Sequence, residues 1–380
     1  MILSEHAGAA FFLCHSPVPE VCFVSGLDKE VHYNITIVHK INWTDKGLWV
    51  HPGSAITKTL TDITPYTEYV ADLQSIFDAD KDDDEEDPTE VEMEYPPYTK
   101  ESFLSEVFMD DKEFETLAAL LKKKKNVILQ GAPGVGKTYT AKRLAYALMG
   151  EKNQDRVMMI QFHQSYSYED FIEGFRPDSN GDGFIIKKGS FYQFCKKATD
   201  DLDHDYYFII DEINRGNMSR IFGELFMLVE ADKRGNALQL LYSDEKFSVP
   251  KNVYLIGTMN TADRSLALLD YALRRRFAFF DMKPGFDSAG FRVYRESKNN
   301  PKFNKLITQV KMLNDMITAD DTLGEGFCIG HSYFSNLSDV SDQTLGEIIE
   351  FELAPLLKEY WYDEKSKAED AIFALKEAIK

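Results

Sequence analysis

Residues 126–138 read NVILQGAPGVGKT, and few stretches leave a chain less freedom. NVILQ suits a buried strand, and the eight residues after it fit GxxxxGK[ST], a loop that carries a strand into a helix. In that setting Gly131, Ala132, Pro133, Gly134, Val135 and Gly136 form a loop that wraps nucleotide phosphates with backbone amides and a helix N-terminus. Lys137 is expected on the β and γ groups and Thr138 on a magnesium ion. Chance matches with a strand before and a helix after are rare, so this stretch predicts a nucleotide-binding α/β domain.

The strands that such a domain needs follow. NVILQ (126–130), VMMIQF (157–162), YYFII (206–210), VYLIGTM (253–259) and FAFF (277–280) are continuous apolar runs separated by helical stretches. That alternation predicts a parallel sheet covered on both faces. Ligands of such sheets gather at the carboxyl ends of the strands. The third strand ends in Asp211-Glu212, where Asp211 would serve the magnesium shell and Glu212 would orient or deprotonate an attacking water. The fourth ends in MNTADR (259–264), a set of polar groups that need partners if buried. Asn260 would arrive beside the phosphate loop and polarise that water. Asp263 and Arg264 would organise the water or read the γ-phosphate, with an acidic neighbour as the alternative partner of Arg264. A local turn held by Asn, Thr and Asp is the plainer fate of such a strand end.

Organisation is marked by one extreme segment. Residues 78–94 read DADKDDDEEDPTEVEME, a like-charged run that repels itself, and with Pro96-Pro97 it predicts an acidic linker over 78–99. Ahead of it, residues 1–77 alternate at Val31, Tyr33, Ile35 and Ile37 and place Trp43 and Trp49 around a Lys46-Gly47 turn, which suggests a small β-rich module for a target or partner. That module has no arginine and four lysines against eight acidic residues, so it lacks the electrostatic footprint for DNA. Tyr33, Trp43 and Trp49 are expected in its core, a pocket for a flipped base being the sharper alternative. Residues 100–284 are expected to form the nucleotide domain, with a helical stretch over 101–125, and residues 285–380 a helical lid that includes FELAPLLKEYW at 351–361.

A chain of 380 residues with 44% apolar residues, net charge −20 and a pI near 4.9 is globular and does not wrap nucleic acid through overall charge. Cys14, Cys22, Cys195 and Cys328 show no CxxC or zinc spacing and are expected as free thiols in a reducing, cytoplasmic setting. His6, Cys14, His15 and Cys22 match no regular metal site. The apolar AAFFLC at 9–14 has no basic leader and is too short to span a membrane.

With the phosphate loop, FHQSYSYEDFIEGFRP (162–177), IIDEINRGNMSRIFGEL (209–225), GTMNTADRSLALLDYALRRRF (257–277) and IGHSYF (329–334) resemble the McrB family, AAA+ motors of modification-dependent restriction systems. The likeness spans roughly residues 100 to 362, and MNTADR with SYSYEDF and GHSYF is its specific part. It implies GTP hydrolysis with Mg2+, a homo-hexamer, and a separate McrC endonuclease subunit acting on DNA. No NKxD guanine-reading motif is present, so ATP stays open from the residues alone. The family carries variable DNA-reading modules at the N-terminus, and this acidic one departs from that pattern.

Arg274, Arg275 and Arg276 precede the fifth strand, where the resemblance implies an arginine finger on a neighbour's γ-phosphate, Arg275 and Arg276 being favoured; a helix end capping its own carbonyls is the plainer role. GDGFIIKKGSFYQF (181–194) looks like an inserted hairpin, with Lys187 and Lys188 facing DNA, McrC or solvent. Lys122 to Lys125 read as a solvated helix end. No role is assigned to His163, Tyr166, Tyr168 or His331, the last expected to be structural. A MoxR-like ATPase that remodels protein clients is the alternative function.

Overall fold

A computed structural model describes residues 12–14, 43–45, 95–178, 183–263 and 271–380. Two compact units divide after Glu92. In the first, β1 (Phe12–Cys14) pairs antiparallel with β2 (Trp43–Asp45). The strand expected over 31–37, the side chains of Tyr33, Trp43, Trp49, His6, Cys14, His15 and Cys22, and Arg264 lie outside what is described.

The second unit begins earlier than the linker reading allows. Lys152 N–H donates to the Pro96 carbonyl and Tyr98 N–H to that of Gly150, both at 2.8 Å, and Tyr98 is 1% exposed, so residues 95–99 pack on the unit. The helical stretch over 101–125 is two helices, α1 (Lys100–Glu106) and α2 (Asp111–Lys124), because Thr99 with Ser102 and Asp110 with Glu113 each form a capping box. Lys122, Lys123 and Lys124 close α2, where they complement its carbonyl end.

Strand β3 (Asn126–Gly131) leads through the phosphate loop into α3 (Lys137–Met149). Then come β4 (Val157–Gln161), the short α4 (Tyr168–Phe171), a hairpin of β5 (Glu173–Pro177) and β6 (Phe184–Lys188), and α5 (Ser190–Asp200). After β7 (Tyr206–Asp211) and α6 (Met218–Phe222), a second hairpin of β8 (Ala237–Gln239) and β9 (Lys246–Ser248) precedes β10 (Val253–Asn260), α7 (Tyr271–Arg276) and β11 (Ala278–Met282). Five strands form one parallel sheet in the order β11-β3-β10-β7-β4. The side-chain period of two explains the continuous apolar runs. Val127, Leu129, Ile209 and Ile256 join one core, and Ile128, Phe208, Ile210 and Leu255 join the other across the sheet.

The lid consists of α8 (Ala289–Lys298), α9 (Pro301–Ala319), α10 (Asp342–Glu347), a π-helical turn (Ile348–Leu353), α11 (Ala354–Tyr360) and α12 (Lys365–Ala378). No described helix is long and apolar enough to cross a membrane. Between α9 and α10, the segment 330–334 docks onto the outside of the phosphate loop. Ser332 N–H donates to the Gly134 carbonyl at 2.9 Å, and a Cβ on Gly330 would stand 2.0 Å from the Gly134 carbonyl carbon. Only glycine permits that approach. Gly330→Ala is therefore expected to cost about 1–3 kcal/mol through overpacking, seen as a lower melting temperature by calorimetry. An unchanged melting temperature would show that the lid does not dock here.

Candidate nucleotide site

The loop closes through Gly134 (φ 78°) and Gly136 (φ 75°), left-handed positions that glycine occupies without a Cβ clash. Gly136 delivers the chain into α3 with Lys137 and Thr138 as its first residues. Lys137 is 8% exposed and folds back across the loop, its Nζ donating to the carbonyls of Gly131 at 3.0 Å and Ala132 at 2.7 Å. Burial pushes its ammonium down to about 8, although Glu212 and Asp211 pull the other way.

Register brings the acidic end to this loop. Asn260 pairs with Gly131 across β10 and β3, and Gly257 pairs with Ile210 across β10 and β7. Asp211 Oδ1 accepts from Thr138 Oγ1 at 2.6 Å and from Thr258 Oγ1 at 2.5 Å. Thr258 is the site residue that sequence reasoning passed over. It stands two before Asn260, so the strand's alternation puts both on one face. The hydroxyl of Thr138 and the carboxylate of Asp211 are the hard oxygen donors that magnesium takes, and they already lie together.

Glu212 leaves β7 in a left-handed conformation, φ 51° and ψ 46°, which costs a non-glycine residue roughly 1–3 kcal/mol. That turn aims its carboxylate along the sheet edge. Oε1 accepts from Asn260 Nδ2 at 2.6 Å, and Oε2 accepts from Arg215 Nε at 3.2 Å. Arg215 also reaches Asp263 Oδ2 at 3.4 Å. Thus Glu212, Asn260 and Asp263 come together as expected, bridged by Arg215, whose plainer expected role is to cap the local turn with Asn214.

The three arginines at the end of α7 separate. Arg274 and Arg275 are exposed, whereas Arg276 pairs with Glu230 at 3.2 Å and lies 4.3 Å from the Phe226 ring centroid. Arg276 is thus inward and partnered within its own chain, unlike Arg275. Lys188 is partnered as well. Its Nζ binds Glu173 at 2.8 Å, Glu245 at 2.7 Å and Ser243 at 3.0 Å, clamping the first hairpin to the second, while Lys187 is exposed. Tyr168 is buried with its hydroxyl donating to Glu224 at 2.8 Å, and Tyr166 shares a 3.1 Å hydrogen bond with Ser190. His163 is exposed. His331 is buried beside the loop, its Nδ1 accepting from Gly285 N–H at 2.8 Å, and burial drives its pKa down to about 4. Cys195 and Cys328 are buried free thiols.

A parallel sheet with this loop, a paired Asp-Glu at the neighbouring strand end and a helical lid defines a P-loop NTPase domain of the AAA class. Residues 126–277 match the AAA domain of the dynein-related subfamily, and residues 305–369 match the alpha-helical lid domain of McrB. The chain is 52% identical over 282 residues to the type IV methyl-directed restriction enzyme EcoKMcrB subunit of Escherichia coli strain K12, a match covering 71% of this chain and 61% of that protein. It is 28% identical over 193 residues to the type II restriction enzyme BsuMI component YdiS of Bacillus subtilis strain 168, covering 41% of this chain and 56% of that one. The chain thus spans less than two thirds of the length of either relative. It carries a McrB-like AAA domain followed by a McrB lid domain.

The buried ammonium makes a pH-linked prediction. A bound polyphosphate stabilises the charged form of Lys137 and raises its pKa above about 8, so nucleotide binding near pH 8 should take up about half a proton. Calorimetry of GDP binding in buffers of different ionisation enthalpy would read this as a buffer-dependent heat. Uptake should fade towards pH 6, where the lysine is already charged, and a heat independent of buffer at pH 8 would remove Lys137 from the phosphate site.

Proposed function

We propose that this chain is the nucleoside-triphosphatase motor of a McrBC-type restriction system. It hydrolyses GTP with Mg2+, assembles as a homo-hexamer and drives a separate McrC-type endonuclease subunit on modified DNA in the cytoplasm. The observation that carries hydrolysis is the 2.6 Å bond from Asn260 to Glu212, level with the phosphate loop. Asn260 and Arg215 hold the Glu212 carboxylate in one orientation, so that it positions a water and receives its proton. Lys137 and the loop amides stabilise the phosphates, Thr138 and Asp211 would hold the magnesium, and the metal would neutralise charge on the β and γ groups. Asp263, tied to Arg215, and Arg264, next in sequence, complete the γ-phosphate end.

GTP over ATP and a partner nuclease are what the resemblance of the motifs to the McrB family implies, similarity to a subunit of a methyl-directed restriction enzyme supports a role in restriction, and the McrB-type lid favours this reading over a MoxR-like protein remodeller. Arg275, exposed at the end of α7, is the finger that serves a neighbouring copy.

Glu212→Gln is expected to retain nucleotide binding while turnover falls by about 10²-fold or more, because the phosphate contacts survive and the proton acceptor does not. Normal phosphate release by that variant would take Glu212 out of the chemistry. The finger has its own test. Arg275→Ala and Lys137→Ala proteins, each inactive, should regain part of the GTPase rate when mixed, since some interfaces then pair an intact loop with an intact finger. No recovery on mixing, with both variants still binding each other, would mean that Arg275 does not act across subunits.

A further inference from the structure

The strand order states where a nucleotide base must go. Asp211 and Glu212 follow β7, and Asn260 ends β10, so the hydrolytic groups lie on the β10 side of the phosphate loop. The γ-phosphate points to them. Ribose and base therefore leave in the opposite direction, over the first turns of α3 on the β11 side. There α1 packs against both α3 and α8, and Phe108 meets Phe291 at 5.2 Å and His331 at 5.3 Å between ring centroids. This flank is built from three separate parts of the chain.

The side chains on it have a definite chemistry. Tyr139 follows Thr138 directly and is 38% exposed, with the Arg143 guanidinium 3.1 Å from its ring centroid, one turn along α3. Glu106, the last residue of α1, accepts from Arg143 Nε at 2.7 Å and from Lys152 Nζ at 3.3 Å. Burial would raise the Glu106 pKa, yet those two donors outweigh it and hold the value below the ordinary carboxylate range. At neutral pH Glu106 is thus a fixed, acceptor-only group. The Glu106 and Arg143 side chains keep 30% and 25% of their surface, so both remain reachable.

We infer that Glu106 reads the nucleotide base as guanine, with Tyr139 as the stacking surface and Arg143 and Lys152 as donors towards the base oxygen. This rests on the GTP reading above. Guanine presents N1–H and its 2-amino group side by side, two donors that match two carboxylate oxygens, and its O6 lies next to them as an acceptor for a cationic donor. Adenine places an acceptor at N1, so a carboxylate there offers it no donor and sets one acceptor against another. A carboxylate flanked by two cationic donors and an aromatic ring thus discriminates between the two bases by hydrogen-bond sign. No NKxD sequence is needed for that, because the acceptor comes from a helix ahead of the first strand of the sheet.

The test is calorimetry on the full chain with Mg2+ and the diphosphates of guanosine, adenosine and xanthosine. The unaltered protein should bind GDP at least about 10-fold more tightly than ADP. In Glu106→Gln, which keeps the shape, GDP affinity should fall by about 10- to 100-fold, the range for a hydrogen bond to a charged group. Xanthosine diphosphate should bind more tightly than to the unaltered protein, because its 2-oxo group accepts from the new amide. An equal loss for all three, or no loss for GDP, would make the Glu106–Arg143 pair structural and overturn the assignment while leaving the GTP reading intact. Equal binding of GDP and ADP by the unaltered protein would overturn both.

Discussion

A lysine ammonium buried at the mouth of the phosphate loop is the constraint on which the site depends. Burial of such a group costs several kcal/mol unless other charges and hydrogen bonds compensate. Two loop carbonyls and the field of Asp211 and Glu212 compensate only in part, since the Lys137 pKa still sits near 8. The site therefore favours a ligand of high negative charge that accepts several hydrogen bonds. The carboxylates proposed for magnesium and water also offset the buried ammonium, so Asp211 and Glu212 serve two ends. Their position follows from strand pairing: a slip of one residue between β10 and β3 would carry Asn260 away from Gly131 and turn Thr258 off the carboxylate.

Much of this was legible before any coordinates. A strand buried on both faces reads as an apolar run, and five such runs each became one strand of the sheet, with ends moved by at most two residues. The phosphate loop, Asp211, Glu212 and Asn260 were legible because parallel sheets converge at their carboxyl ends. Tertiary partners were not. Nothing in RRR distinguishes an exposed Arg275 from an Arg276 held by Glu230. Lys188 looked like half of an exposed basic pair, yet the wholly buried Glu173 carboxylate accepts from it, from Ser243 and from two backbone amides. Thr258 was hidden because a threonine in an apolar strand reads as filler until its neighbour's carboxylate is located.

The break between α1 and α2 shows how a local rule shapes the site. A single helix over 101–125 would carry residues 107–110 straight on. The Asp110–Glu113 box starts a second helix instead, and the short extended crossing puts Phe108 against α8 and His331. Glu106 is then stranded at a helix end, where Arg143 and Lys152 can reach it. A few tenths to about 2 kcal/mol of capping thus decides what surrounds the first turns of α3.

The lid is tied to the site at two separated points. Ser332 N–H holds the Gly134 carbonyl on the outside of the phosphate loop. On the other side, Thr261 N–H donates to the Gly131 carbonyl at 3.1 Å while its hydroxyl donates to Gly326 in the lid at 3.2 Å. Thr261 follows Asn260, so one residue touches the start of the phosphate loop, the end of β10 and the lid together. Each bond contributes about 1 kcal/mol, and the set lies in the 1–3 kcal/mol range that couples two sites. The geometry at the end of β10 and the position of the lid are therefore not independent: whatever displaces Thr261 is felt by the helices that follow it.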